Sequence, residues 1–341
     1  MKKAISLVLA LCMILSLAAC GQRTDDNAST PDNTGTAEKT VITGSISHSS
    51  APDSTYDIGA HYFADLVKEY TDGTVILEIY PSAQLGSDKE AFEGHRMGSV
   101  DFSMPGASML SQYKENIAVF NLPFLFSSRE DAYKVLDSEL ADEIYSSTEE
   151  VGVKVLASFE SGFRQVASAK KPIESLADLK GQKIRVPDGD IYVNTWRALG
   201  VSPTVLGWND VFSGLQTGII DGEEAPMSSF DSAGFSEIVK YFSFINYMYD
   251  PVTLCVSTMF WDKLDADQQA AVQKAAKEAA AYEREYCANL EKDLQAKLEG
   301  EGVTFYNPDL KEFQNAVQSV YNSYADQETL NAVLALLGRT A

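Results

Sequence analysis

Asp265-Ala266-Asp267-Gln268 opens a helical stretch that runs to Gly300. Unbroken, its 35 residues reach about 50 Å at 1.5 Å per residue. That exceeds the width of one small domain, so a helix of this length is placed to brace two. The chain must therefore supply two bodies for it to lie against. Strands alternate with helices upstream of it, which predicts an α/β protein with mixed or parallel sheets.

The first forty residues belong to neither body. Lys2 and Lys3 precede an apolar run from Ala4 to Leu17, and Leu17-Ala18-Ala19-Cys20 follows. A charged start, a short apolar stretch and small residues before a cut site make a secretory signal over residues 1–19. The run is short for a membrane span, which needs about 20 apolar residues. Cys20 after Leu-Ala-Ala resembles the lipobox of bacterial lipoproteins, in which that Cys is acylated and becomes the mature N-terminus. Gly21 to Thr40 holds no large apolar side chain. Residues 20–40 read as a lipidated, flexible tether.

About 300 residues remain, more than one hydrophobic core usually serves. Net charge is −22, and removal of Lys2 and Lys3 with the signal takes away two positive charges to leave −24. Such a chain is a poor partner for nucleic acid or anionic lipid surfaces. It can still hold an anion where a buried Arg dominates a pocket. With Cys12 removed and Cys20 lipidated, Cys255 and Cys287 are left, as one disulfide or as free buried thiols. His48, His61 and His95 are widely spaced and lack the company a zinc site needs, so neither a metal nor a cofactor is expected.

Val41–Ser47 reads as a strand and Thr55–Tyr70 as a helix with Ile58, Tyr62, Phe63, Leu66, Val67 and Tyr70 on one face. Thr74–Tyr80 is a second strand. A helix from Asp88 ends at Gly98, and Val100, Phe102 and Met104 alternate as a third strand. Ser128-Arg129-Glu130-Asp131 resembles a capping box. Further strands are expected over Val153–Phe159, over Lys183–Val186 before Pro187, and from Ile219. Between the last two, one helix ends at Gly200 and another runs to Thr217 with Asn209 as its cap. Trp196 and Trp261 read as core.

Several segments, in order, resemble the solute receptors of tripartite ATP-independent periplasmic (TRAP) transporters, the dicarboxylate-binding DctP type. They are Tyr80-Pro81-Ser82-Ala83-Gln84-Leu85-Gly86, Asn121-Leu122-Pro123-Phe124-Leu125-Phe126, and Gly162-Phe163-Arg164 with Pro172-Ile173. The block Asp178-Leu179-Lys180-Gly181-Gln182-Lys183-Ile184-Arg185-Val186-Pro187 follows. Leu215-Gln216-Thr217-Gly218 and Asp221-Gly222-Glu223-Glu224-Ala225-Pro226 complete the set. The likeness spans Val41 to Tyr321. It implies a two-lobed periplasmic-binding-protein-like fold with a central ligand cleft and a long helix bridging both lobes. Lobe one would hold 41–160 plus 250–290, and lobe two 161–249 plus 291–341. It also implies capture of a small organic acid, hinge closure over it, and docking on small and large membrane subunits driven by an ion gradient.

Arg185 ends a short strand, and period-2 geometry sends it to the face opposite Ile184 and Val186. Ligands of open α/β sheets bind at the carboxyl ends of strands, where a guanidinium fork matches a carboxylate. The resemblance makes Arg185 the ligand's carboxylate clamp; Arg164 either contacts the ligand or positions Arg185. The usual pattern has Gln and Asn where this chain has Glu223 and Ala225, and Ser168 stands where Asn is common. Ala225 cannot supply the hydrogen bond that the Asn gives a bound carboxylate, so substrate identity does not carry over. Trp208 and Tyr247 either stack on the body of an organic acid or belong to the core. The competing functions are a secreted carboxylate-dependent glycan hydrolase and a non-binding structural surface lipoprotein. Glu223 and Glu224, adjacent on a strand, point to opposite faces and make a poor acid–base pair.

Overall fold

The computed structural model describes residues 40–340; the signal segment and the lipidation position Cys20 lie outside them. One mixed sheet organises the rest. Its strands are β1 (Ile42–Ser47), β2 (Val75–Tyr80), β3 (Phe102–Ser103), β4 (Val153–Ser168), β5 (Ile184–Val186), β6 (Thr204–Val205), β7 (Gly222–Ala225), β8 (Tyr241–Ser257) and β9 (Thr304–Tyr306). The order is β2-β1-β3-β8-β4-β7-β5-β6, with β9 beside β8.

The antiparallel ladder of β4 and β8 is the spine. At one end β8 pairs with β3 through Phe102↔Val256, and β3 leads to β1 and β2. At the other end β4 pairs with β7 through Ser168↔Gly222, and β8 pairs with β9 through Tyr241↔Thr304. Each end thus carries its own set of parallel strands, which makes the fold two-lobed. The ladder changes register at Val155/Ala157, Glu160/Gly162 and Arg164/Val166. Gly162, with φ of 111°, occupies backbone space that an L side chain rarely enters.

The long helix runs as Ala266–Gly300, opened by the reciprocal bonds of Asp265 and Gln268. Its first half buries Val272, Ala275, Ala276 and Ala279 in a core shared with Phe63, Val67 and Leu254. Its second half buries Leu294 and Leu298 in a separate core with Phe230, Phe235 and Phe242. Small alanines on the first half let the helix Thr55–Tyr70 pack closely. The expected brace is the observed one.

Several elements differ from expectation. The third strand is only Phe102–Ser103, and the fourth continues nine residues past Phe159 to Ser168. β8 was unread because it is buried on both faces for most of its length, which erases alternation, and because Pro251 suggests a break. Asn209 caps nothing: Trp208–Asp210 already coils as a 3₁₀ turn, and the helix Val211–Thr217 continues from it without a side-chain cap. Ser128 accepts from the Asp131 N–H, but the Asp131 carboxylate takes the Ser127 N–H, so the box is half formed. Trp261 is half-buried, with the Lys154 ammonium 5.7 Å above its ring. Cys255 and Cys287 are free and buried.

The C-terminal helices expected in lobe two hydrogen-bond residues expected in lobe one. Tyr324 donates to the Asn116 carbonyl, and Arg339 donates to the Leu125 carbonyl and the Asp131 carboxylate, all within 41–160.

The close approach of β7 to β4 depends on Gly222. A Cβ there would stand 2.3 Å from the Ala167 carbonyl oxygen and 3.1 Å from Ile184 Cδ1. Backbone cannot yield as a side-chain tip can, so Gly222→Ala should cost at least the ~1–3 kcal/mol of an overpacked core. Urea unfolding measures it; an unchanged midpoint would mean that β7 sits further from β4.

Candidate ligand-binding site

A cavity of about 660 Å³ opens between the two ends of the spine. Ser49, Tyr56 and Asp88 line it from the β1–β2 side; Arg185, Trp208 and Ala225 line it from the β5–β7 side. Asp88 is positioned by the N-terminus of the helix Asp88–Met97. There Ser87 and Glu90 cap each other, and Gly98, with φ of 71°, closes the far end.

Arg185 is placed as its strand predicts. Ile184 and Val186 are wholly buried on one face, and Arg185, 2% exposed, leaves by the other. Its Nε and Nη2 donate to the Leu206 carbonyl at 3.0 and 2.8 Å. Nη1 has no hydrogen-bond partner among the described residues. The Trp208 ring lies 5.4 Å from the guanidinium carbon, within cation–π range. Burial, with the like charge of Arg164 in support, pulls the guanidinium down to about 10. The group stays cationic at neutral pH and lacks a bonded carboxylate.

Arg164 is a different kind of arginine. Nε and Nη2 grip the Glu224 carboxylate at 2.6 and 2.9 Å, Nη2 also bonds the Glu224 carbonyl at 2.7 Å, and Nη1 bonds Asp250 at 2.6 Å. Burial opposes its charge, but Glu224 and Asp250 outweigh burial and raise its pKa well above the ordinary value. Asp250 also accepts from Tyr192 at 3.0 Å and from Asn121 at 3.1 Å. Arg164 borders the cavity with its donors already committed to Glu224 and Asp250.

The other expected residues divide. Trp208 and Ala225 line the cavity. Tyr247 does not: it is wholly buried, its hydroxyl donates to Glu224, and its ring stands edge-on to Trp196. Ser168 closes a turn instead, donating to Gln182 and accepting from the Lys170 and Lys171 N–H groups. Glu223 and Glu224 do take opposite faces. Glu224 sits in the Arg164 fork, and Glu223 is covered.

Sequence reasoning missed Asp88. Burial pushes its carboxyl up to about 6, against a Ser49 hydrogen bond and the Arg185 charge. An acid one residue after a capping Ser reads from sequence as a helix-dipole partner, which hides a second role. Tyr56 and Ser161 add hydroxyls to the wall, with Ser161 Oγ 3.4 Å from Ser229 Oγ.

A two-lobed fold with a cation-bearing cavity between its halves defines a solute-capturing protein. The chain belongs to the DctP family, bacterial extracellular solute-binding protein family 7, whose pattern matches residues 46–328. It is 31% identical over 261 residues to the 2,3-diketo-L-gulonate-binding periplasmic protein of Escherichia coli K12, covering 76% of this chain and 80% of that one. It is 30% identical over 310 residues to the C4-dicarboxylate-binding periplasmic protein of Rhodobacter capsulatus, covering 89% and 92%. The crystal structure of a TRAP periplasmic solute-binding protein of Roseobacter denitrificans with bound L-galactonate superposes with a TM-score of 0.82. The two are 31% identical, with 87% of this chain and 99% of that one covered. The protein is thus an extracytoplasmic TRAP receptor for small organic acids, in a family of binding proteins.

Removing the Arg164 guanidinium would strand two buried carboxylates. Arg164→Ala should cost about 3–5 kcal/mol of stability, and Arg164→Lys less, since charge survives without the fork. Chemical denaturation reads both; a loss under 1 kcal/mol for Ala would show that Glu224 and Asp250 do not depend on Arg164.

Proposed function

We propose that this receptor is tethered to the membrane through lipid on Cys20 and delivers its ligand to the small and large TRAP membrane subunits. Arg185 clamps the ligand's carboxylate. The observation that carries this is the contrast between the two cavity arginines: Arg164 is saturated by Glu224 and Asp250, whereas Arg185 binds only a neutral carbonyl and keeps Nη1 unpartnered. One buried cation without a carboxylate partner suits one carboxylate. Asp88 and the hydroxyls of Ser49, Tyr56 and Ser161 suit a hydroxylated remainder and disfavour a second carboxylate. The favoured ligand is a polyhydroxy monocarboxylate rather than a C4 dicarboxylate. Trp208 packs on its body, and Ala225 leaves room in place of a donor.

Lobe one comprises 41–160 and 250–290, and lobe two 161–249 with most of the remainder. They close by bending the β4–β8 ladder, whose register shifts weaken it between them.

Arg185→Ala should weaken binding by about 2–5 kcal/mol, roughly 30- to several-thousand-fold, with Arg185→Lys between it and wild type. Titration calorimetry with L-galactonate and succinate tests clamp and preference together. A folded Arg185→Ala that binds galactonate within about twofold removes the clamp. Tighter binding of succinate than galactonate removes the preference. A thermal-shift screen serves the same end, since a ligand at 100 times its dissociation constant adds about 2.7 kcal/mol.

Cys20→Ser should leave uncleaved precursor or release the protein from the membrane. Detergent partitioning of the processed variant, unchanged from wild type, would show that Cys20 is not the anchor.

A further inference from the structure

Glu223 is a buried carboxyl beside Arg185 that the capture mechanism leaves unused. It is wholly buried, and neither carboxyl oxygen has a hydrogen-bond partner. Arg185 and Glu223 are register partners on the adjacent parallel strands β5 and β7, so both side chains leave the same face of the sheet. The charged groups acting on Glu223 are Arg185 on β5, Arg164 on β4 and Glu224 on its own strand. Arg164 is already neutralised by Glu224 and Asp250. The Nε and Nη2 of Arg185 are spent on the Leu206 carbonyl.

We propose that Glu223 carries a proton at neutral pH and is silent beside Arg185, and that its ionisation in alkaline medium makes it an internal competitor for the cation that anchors the ligand. A bare carboxylate in this position would be buried without a hydrogen bond or a dedicated counter-ion, an expensive state that a neutral carboxyl avoids. Burial first, and the Glu224 charge second, push the Glu223 carboxyl up to about 8, while Arg185 and Arg164 pull the other way. Ligand carboxylate at Arg185 adds a further negative charge and holds the proton more firmly. The binding-competent form is therefore the protonated one. Affinity is full below the Glu223 pKa and falls as pH rises through it, by about tenfold between pH 7 and 9. Arg185 keeps its charge over most of that window, since its own pKa is about 10.

The proton on Glu223 stands on the geometry of the empty receptor; the effect on affinity rests on Arg185 being the ligand's anchor. Two measurements separate them. In protein labelled with carbon-13 at the glutamate carboxyl, without ligand, the resonance lost in Glu223→Gln should titrate near pH 8. A midpoint below about 7 overturns the proposal. Titration calorimetry with L-galactonate at pH 7 and pH 9 should then show a loss of about tenfold in wild type and under twofold in Glu223→Gln. Equal losses in both proteins overturn the coupling. No galactonate binding at pH 7 counts against the receptor's ligand assignment, and the carboxyl titration still decides the state of Glu223. Glu223→Met carries the same expectations should the Gln variant fold poorly.

Discussion

The Arg164 guanidinium holds the middle of this molecule together. It sits on β4, grips Glu224 on β7 and reaches Asp250 on β8, so three strands meet on one planar cation. Asp250 passes the connection on to Asn121, which precedes β4 in sequence, and to Tyr192, which follows it, and the Tyr247 hydroxyl donates to Glu224. Buried ion pairs of this kind add little net stability over a well-packed apolar substitute, but losing one member is costly. Here the pair specifies a geometry. It fixes the strands β4, β7 and β8 beside which Arg185, Trp208 and Ala225 line the cavity, and it does so with the positive charge already cancelled.

That cancellation leaves the two arginines of one pocket in different electrostatic states. The Arg164 cation is already shared by two carboxylates; the Arg185 cation is hydrogen-bonded to a carbonyl alone, with the Trp208 ring beside it. Desolvating Arg185 without a hydrogen-bonded counter-ion costs free energy in the empty receptor, and under the proposed clamp the ligand's carboxylate would recover it. On the proposed reading the site is built incomplete, and the ligand's carboxylate completes it.

Much of this was legible in the sequence, and the limits have physical causes. The helix Thr55–Tyr70 and the long helix Ala266–Gly300 were readable because capping residues mark their starts and one apolar stripe marks their faces. Arg185 was readable because Pro187 stops its strand. β8 was not, since a strand covered on both faces carries no period-2 signal. Tyr247 suggested an aromatic wall, yet a buried hydroxyl needs an acceptor, and Glu224 claimed it. Asp88 was masked by its place at a helix start, and the half-formed box at Ser128 shows that the right residue types do not guarantee the reciprocal bond.

The rim of the cavity carries exposed carboxylates at Glu90, Asp188 and Asp210, around an exposed Lys89. On a chain of net charge −22, an anionic ligand meets a repulsive field before it reaches Arg185. Capture is therefore slowed at the entrance rather than accelerated by long-range attraction. Salt screens the entrance over about 8 Å at physiological strength but hardly touches the buried contact. The receptor should load faster in saline media than in fresh ones, the reverse of an electrostatically steered encounter.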